Sequence, residues 1–359
     1  MDQASTINMK ALSNINRIQV RNETLMLLLN LYESKGKTFY YNELFKKDFD
    51  AFVNITIEED IISFSKLLNL DLTDARIRLC AKRDFVPKNK NEQLLLNIKT
   101  IISRIQENHT SFELISNEAF ELSKMLAKDF EPIKWGRRLK ETDSLYKSKS
   151  YVSKREDLDS LIELLNTTIR KKNYELTNVL TNFYVDFINM EIFDNHNDLV
   201  ALIFLYTMLF KNFEIFSYVS FFKYFNKNKE RWNLALSQAK YNWDSSFSQT
   251  DMLSEILFDI MIKSYDEVNR KAYEYEFEKD LNKSDSIENT ILKFDKLFTK
   301  EEIRINHPTV SDSTINRTLA RLRNENKIIP IGTGRSAKWQ VIAKNKSNFQ
   351  QLSFFKENL

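Results

Sequence analysis

Residues Thr299 to Ile342 carry the side chains whose order and spacing best suit gripping nucleic acid. Glu301, Glu302 and Ile303 open the stretch on a helix. A turn at His307-Pro308 leads to a second helix, which Ser311 or Ser313 can cap through a hydroxyl. Ile315, Leu319 and Leu322 recur at spacings of four and three and form one apolar face. Asn316, Arg317, Ala320, Arg321 and Arg323 fall outside that stripe, so the helix packs by one face and offers amides and cations with another. Gly332 and Gly334 bracket Thr333 between two β-prone runs, which predicts a tight hairpin carrying Arg335 and Lys338. The order helix, turn, helix, strand, hairpin turn, strand is that of a winged helix-turn-helix. The residues expected to meet duplex DNA are Ser311, Ser313, Thr314, Asn316, Arg317, Arg321, Arg335 and Lys338. Asn316 and Arg317 are placed for base edges, Arg321 and Lys338 for the backbone, and Arg335 for a minor groove. The competing use of such a domain is protein docking or dimerisation.

Charge supports a polyanion site there. The chain's net charge is only +3, yet residues 311–359 hold nine Lys and Arg against three Asp and Glu, a net of +6. Composition also excludes several chemistries. Four glycines in 359 residues leave only Gly36 and Gly136 outside the wing, too few for a Walker loop or a dinucleotide fingerprint. The single cysteine, Cys80, rules out an internal disulfide and a multi-cysteine zinc site. His109, His196 and His307 are far apart, so a histidine-rich metal centre is not expected. The start of the chain is polar, and the longest mostly apolar run, Leu199 to Phe210, is too short to span a bilayer. These features predict a cytoplasmic location.

The elements that must position these residues read as helices almost throughout. Helices are expected over Asn22–Glu33, Asn42–Phe52, Glu58–Leu68, Leu94–Gln106, Ser116–Ala127, Leu158–Arg170, Glu175–Met190, Leu199–Phe210, Arg231–Ala239 and Asp251–Tyr275. Pro132–Val152 lacks a helical stripe and reads as a loop or short hairpin. Residues 276–290 read as a linker. The stripe Leu199, Ile203, Tyr206, Phe210 is core, and Phe221, Phe222, Tyr224 and Phe225 are expected to pack internally. Lys147, Lys149, Lys154 and Arg155 read as a solvated surface.

The layout over roughly residues 55–345 resembles the Fic family (filamentation induced by cAMP), whose members move a nucleotide monophosphate onto protein hydroxyls and often carry a C-terminal winged helix in bacteria. The resemblance rests on a helix, a polar turn and an apolar helix: Glu175–Met190, Glu191–Asp198 and Leu199–Phe210. The family's turn reads His-Pro-Phe-x-Asp/Glu-Gly-Asn-Gly-Arg, and Phe193 and Asn197 match it outright. Ser220–Phe225 and Arg231–Leu236 look like the substrate-proximal helices. Trp135-Gly136-Arg137-Arg138 and Tyr151-Val152 look like the entry to the family's flap.

The departures fall on chemistry. The family's base is a histidine, suited to proton transfer near neutral pH; here it is Glu191. The acidic magnesium ligand is Asn195. The two glycines whose amides hold phosphate are His196 and Asp198, and the phosphate-clamping arginine is Leu199. Asp198 is expected to cap the helix beginning at Leu199. The string Ser65–Leu70 lacks the glutamate of the family's self-inhibitory helix.

The resemblance therefore implies a mainly α fold with four parts. These are an N-terminal helical region (1–85), a Fic-like helical bundle with a small β-hairpin flap (86–280), a winged helix-turn-helix domain (281–345) and a tail (346–359). The expected function is that of a degenerate, catalytically inactive Fic-like protein that binds DNA or acts as a regulatory interaction module. No metal or cofactor is expected, the partners are duplex DNA and a protein on the core, and a homodimer is open. The alternative is a protein adenylyltransferase with altered chemistry, using ATP and Mg2+, with Glu191 as base and Arg137, Arg138 or His196 as anion donors.

Overall fold

The computed structural model describes residues 10–17, 20–82, 84–139, 151–278, 282–294, 297–332 and 337–342. The chain falls into two compact units, Met1–Asn269 and Arg270–Leu359.

The first unit is helical. It runs α1 (Asn22–Gly36), α2 (Thr38–Phe45), α3 (Phe49–Leu67), α4 (Asp74–Lys82), α5 (Lys90–Asn108), α6 (Ser116–Ala127), α7 (Arg155–Lys171), α8 (Leu176–Met190), α9 (Asn197–Asn212), α10 (Phe221–Lys227), α11 (Lys229–Tyr241) and most of α12 (Asp251–Glu278). Its centre is α9, in which every residue from Leu199 to Phe210 is buried. A helix that is apolar all round needs cover on all sides. α8 and α6 supply part of it, and a cluster of rings from Tyr206, Phe210, Phe216, Phe221 and Phe222 supplies more. α3 packs on α5 and α10, so the helices before residue 86 share this core.

Caps fix several starts. Asn89 accepts from the Glu92 amide to begin α5, and Glu175 accepts from the Thr177 and Asn178 amides to begin α8. A two-stranded antiparallel hairpin, β1 (Arg137–Leu139) with β2 (Tyr151–Ser153), forms the flap, with Arg138 opposite Val152. Residues 140–150, including Lys147 and Lys149, lie outside the described residues.

Two expectations are corrected here. A helix over Asn42–Phe52 is not continuous. α2 stops at Phe45, a single 3-10 turn follows, and α3 starts at Phe49 and continues unbroken to Leu67. The bend lets Phe45 and Phe52 both close on Tyr218. The supposed linker is also structured: α13 (Lys283–Leu292) is capped by Asn282 and buries Ile287 and Ile291.

The second unit continues with β3 (Phe298–Thr299), α14 (Lys300–Asn306), α15 (Asp312–Asn324), β4 (Ile328–Ile331) and β5 (Lys338–Val341). The strands form one antiparallel sheet in the order β3-β5-β4. Ile287, Ile291, Phe298, Ile303, Val310, Ile315, Leu319, Leu322 and Ile328 make its core. Thr299 and Glu302 close a reciprocal capping box at α14. Gly332 follows β4 with φ at +101°, a conformation other residues rarely adopt. Among the described residues no helix is long and apolar enough to cross a membrane.

Candidate functional site

Two places in the molecule concentrate polar side chains that could act on a ligand. The first is a cleft of about 950 Å³ in the first unit, lined by the turn between α8 and α9, the base of the flap, the end of α3 and one face of α11.

Main-chain atoms hold the turn. Glu191 ends α8 in a left-handed conformation, φ +47°. The Gly136 amide donates to the Ile192 carbonyl at 2.8 Å, and the Asp194 amide donates to the Lys134 carbonyl at 3.0 Å. Asp194 answers by accepting from the Lys134 amide at 2.8 Å through Oδ1. The Trp135 ring stacks between Phe193, at 5.0 Å, and Phe120, at 4.9 Å. Gly136 has no room for a side chain, since a Cβ there would meet the Glu191 carbonyl oxygen at 2.5 Å. Asn197 ties the turn from inside: its Oδ1 accepts from the Phe193 amide at 3.0 Å, and its Nδ2 faces the Phe187 and Ile188 carbonyls at 3.4 Å. Phe193 is buried.

The charged groups are mostly committed to each other. His196 is left-handed, φ +50°, and its Nε2 donates to Glu131 Oε2 at 2.9 Å. That bond holds the Glu131 carboxyl below its usual range. Asn195 Oδ1 accepts from the His196 amide. Lys154 Nζ donates to the Met190 carbonyl at 2.8 Å and lies 3.9 Å from Glu191 Oε2. Arg138 pairs with Asp157 at 3.0 Å. Lys229 Nζ donates to the Leu67 carbonyl at 2.7 Å. Of the three anion donors considered, His196 and Arg138 are thus held by carboxylates, whereas Arg137 is exposed at the cleft wall. Glu191 is largely exposed, at 79% for its side chain. Leu199 is buried.

The expected cap at Asp198 is corrected. α9 begins at Asn197 with His196 in the cap position, so Asp198 lies inside the first turn, exposed to the cleft, and makes no capping bond. A carboxylate there still favours the helix electrostatically through the first-turn amides.

The second place is the outward face of α15. Ser311 is the cap, accepting from the Thr314 amide at 3.3 Å, and its Oγ also lies 2.8 Å from Ser313 Oγ and 3.0 Å from Thr314 Oγ1. Ser313, Asn316 and Arg317 are exposed, while Ile315, Thr318, Leu319 and Leu322 are buried on the opposite side. Lys338 is exposed on β5. Arg335 lies outside the described residues. The guanidinium of Arg321, expected at the backbone of DNA, is held by Glu288 at 2.7 Å and Glu325 at 3.1 Å. His307 is buried and bonded to Ser286 and Thr290, so it is a packing residue.

No protein-family model matches the sequence, and no curated protein matches it. Among solved structures, the chain aligns with a Fic family protein from Desulfovibrio desulfuricans G20 at a TM-score of 0.53. The alignment covers 92% of this chain and 99% of that chain, at 10% sequence identity. The chain has a Fic-like fold.

Within this Fic-like fold, several residues that shape the cleft carried no signal in the sequence. Glu131, Asp157 and Lys229 act through partners 65, 19 and 162 positions away. Asp186 on α8, which does not line the cleft, carried no signal either. Its buried carboxylate accepts from the Ala11 and Leu12 amides at 2.8 Å and from the Trp243 indole at 2.7 Å, fastening the segment before α1 to the Fic-like core. Burial pushes its carboxyl up to about 6 against those donors. Asp60 on α3 is fully buried beneath Ser220, and burial pushes it up to about 8.

Proposed function

We propose that the chain is a DNA-binding regulatory protein. In this reading its second unit works as a winged helix-turn-helix, and its Fic-like core serves as an interaction platform without nucleotidyl transfer. The observation that carries the reading is the division of α15 into two faces. One face closes the core through Ile315, Leu319 and Leu322, and the other leaves Ser313, Asn316 and Arg317 exposed and outside it. Such a helix can enter a major groove with its early residues at base edges. Lys338 would then meet phosphate.

In this reading the core is silent because of the side chains that line the cleft. Aligned with the family's turn, Glu191 takes the place of the histidine base, and Asp198 puts a carboxylate at the helix start where phosphate would dock. A negative charge at that point repels an anion and competes for the same amides. Leu199 cannot clamp phosphate. Transfer with Glu191 as base is the competing reading. It would have to bind the nucleotide through Arg137, because Arg138 and His196 are paired with Asp157 and Glu131.

Fluorescence anisotropy of the full chain on labelled duplexes, from about 50 to about 200 mM salt, tests the proposal. Retention at low salt that falls steeply with added salt is expected. Absence of retention on every duplex, random or genomic, sinks the DNA reading and leaves α15 as a protein-docking face.

A further inference from the structure

The cations of the second unit are not equally available. On α15, the turn after it and β5 stand Arg317, Arg321, Arg323, Lys327 and Lys338. Arg317, Arg323 and Lys338 are exposed and make no ion pair among the described residues. Arg321 and Lys327 converge on one carboxylate. Glu288 Oε2 accepts from Arg321 at 2.7 Å, and its Oε1 accepts from Lys327 at 2.5 Å. Glu325 pairs with the same two cations, at 3.1 Å and 2.7 Å. Two positive and two negative charges therefore close on each other. Glu288 is the inner member, its side chain 15% exposed against 38% for Arg321 and 32% for Lys327. It stands on α13, whose Ile287 is locked into the core, so the carboxylate is held in place and both oxygens are used. Arg321 lies one helical turn from Arg317, on the same flank of α15. Unpaired, it would extend the basic strip that begins at Arg317.

We infer that Glu288, seconded by Glu325, is an internal counter-ion that occupies Arg321 and Lys327 where phosphate would otherwise sit, and so restrains sequence-independent binding to DNA. The inference rests on the DNA-binding reading and adds a specificity-determining residue to it. Binding that depends on phosphate alone scales with the number of cations that displace condensed counterions, and each one adds about 0.9 to the salt slope. Withholding two of five cations leaves a larger share of recognition to the base-facing side chains Asn316 and Arg317. A carboxylate that served only to brace α15 against α13 would act in the opposite direction: its loss would loosen the helix and weaken binding.

The test compares the full chain with Glu288→Gln, which keeps the shape and removes the charge, on a random duplex between about 50 and about 200 mM salt. The variant is expected to bind more tightly at low salt. Its affinity should fall across that range by an additional factor of about 3.5 if one cation is released and about 12 if both are. Arg321→Gln is expected to leave the parent's slope unchanged but to remove part of the gain in the Glu288→Gln background. This dependence separates charge release from a change in helix position. Equal slopes in a parent and variant that both bind overturn the inference alone, as does weaker binding by a Glu288→Gln protein with an unshifted melting temperature. If neither protein binds any duplex, the DNA-binding reading falls and the inference with it.

Discussion

The side chain of Asn197 closes on the amide of Phe193 at 3.0 Å, four residues back along the chain, and holds the turn between α8 and α9 in its bend. The same side chain faces the carbonyls of Phe187 and Ile188 at the end of α8. Its neighbour Asp198 makes no such bond and is exposed. Asn197→Ala should therefore cost about 1–3 kcal/mol, the loss expected when a part-buried amide donor is left unpaired. Asp198→Ala should cost no more than about 1 kcal/mol, the size of a first-turn charge effect. Chemical denaturation of the two variants decides the point, and a larger loss at Asp198 would contradict the geometry.

Asp60 sets a pH dependence. Its carboxyl is fully buried, with Oδ1 accepting from Ser220 Oγ at 2.5 Å and Oδ2 without a partner. Burial raises it to about 8 from an ordinary 3.8. The folded state therefore binds the proton more tightly than the unfolded one. The resulting stability is complete below about pH 4 and is lost as pH rises towards 8. Asp60→Asn, which imitates the protonated form, should remove this decline. The difference in unfolding free energy between parent and variant should move steadily in favour of the variant from pH 4 to 8. A difference that stays flat would mean that Asp60 is ionised in the fold.

The cleft should not label proteins. With Glu191 exposed and Asp198 at the start of α9, incubation with radiolabelled ATP, Mg2+ and a cell lysate is expected to give no signal above a heat-inactivated control. A signal abolished by Glu191→Ala would establish the competing enzymatic reading.

On α15, Arg317→Ala should lose about 1–3 kcal/mol on a preferred duplex and relax base choice. Lys338→Ala should weaken all duplexes alike and reduce the salt slope by about 0.9. Competition binding with a randomised duplex pool reads both effects. Interchanged behaviour of the two variants would reverse their assigned roles.

Much of the fold was legible because amphipathic spacing is a local signal. Ser116–Ala127 is found as expected, and α8 and α9 differ from their expected spans by two residues at most at either end. That small difference was enough to misplace Asp198. Apolar spacing alone starts the helix at Leu199, whereas Asn197 and Asp198 already belong to it. α13 is hidden in the sequence for a related reason. Lys283, Ser284, Asp285, Glu288 and Asn289 give the segment a linker's composition, and its only core signal is the pair Ile287 and Ile291, four apart. The outward face of α15 was visible in its spacing, but the commitment of Arg321 was not. Glu288 is 33 positions away, and nothing local marks it as a partner. The same holds for His196 and Glu131, which only the folded core brings together.

The backbone pairing of residues 134–136 with 192–194 has a consequence for protein engineering. Because main-chain atoms, Asp194 and Asn197 carry most of the path of the turn, the exposed side chains at 191 and 198 can be exchanged with little effect on it, whereas Asn195 and His196 add bonds of their own. Two of the turn's positions, Glu191 and His196, already sit in the left-handed region, so a glycine at 196 would relieve backbone strain there. The turn is thus a place where a transplanted anion-binding sequence would meet a backbone already bent to take it.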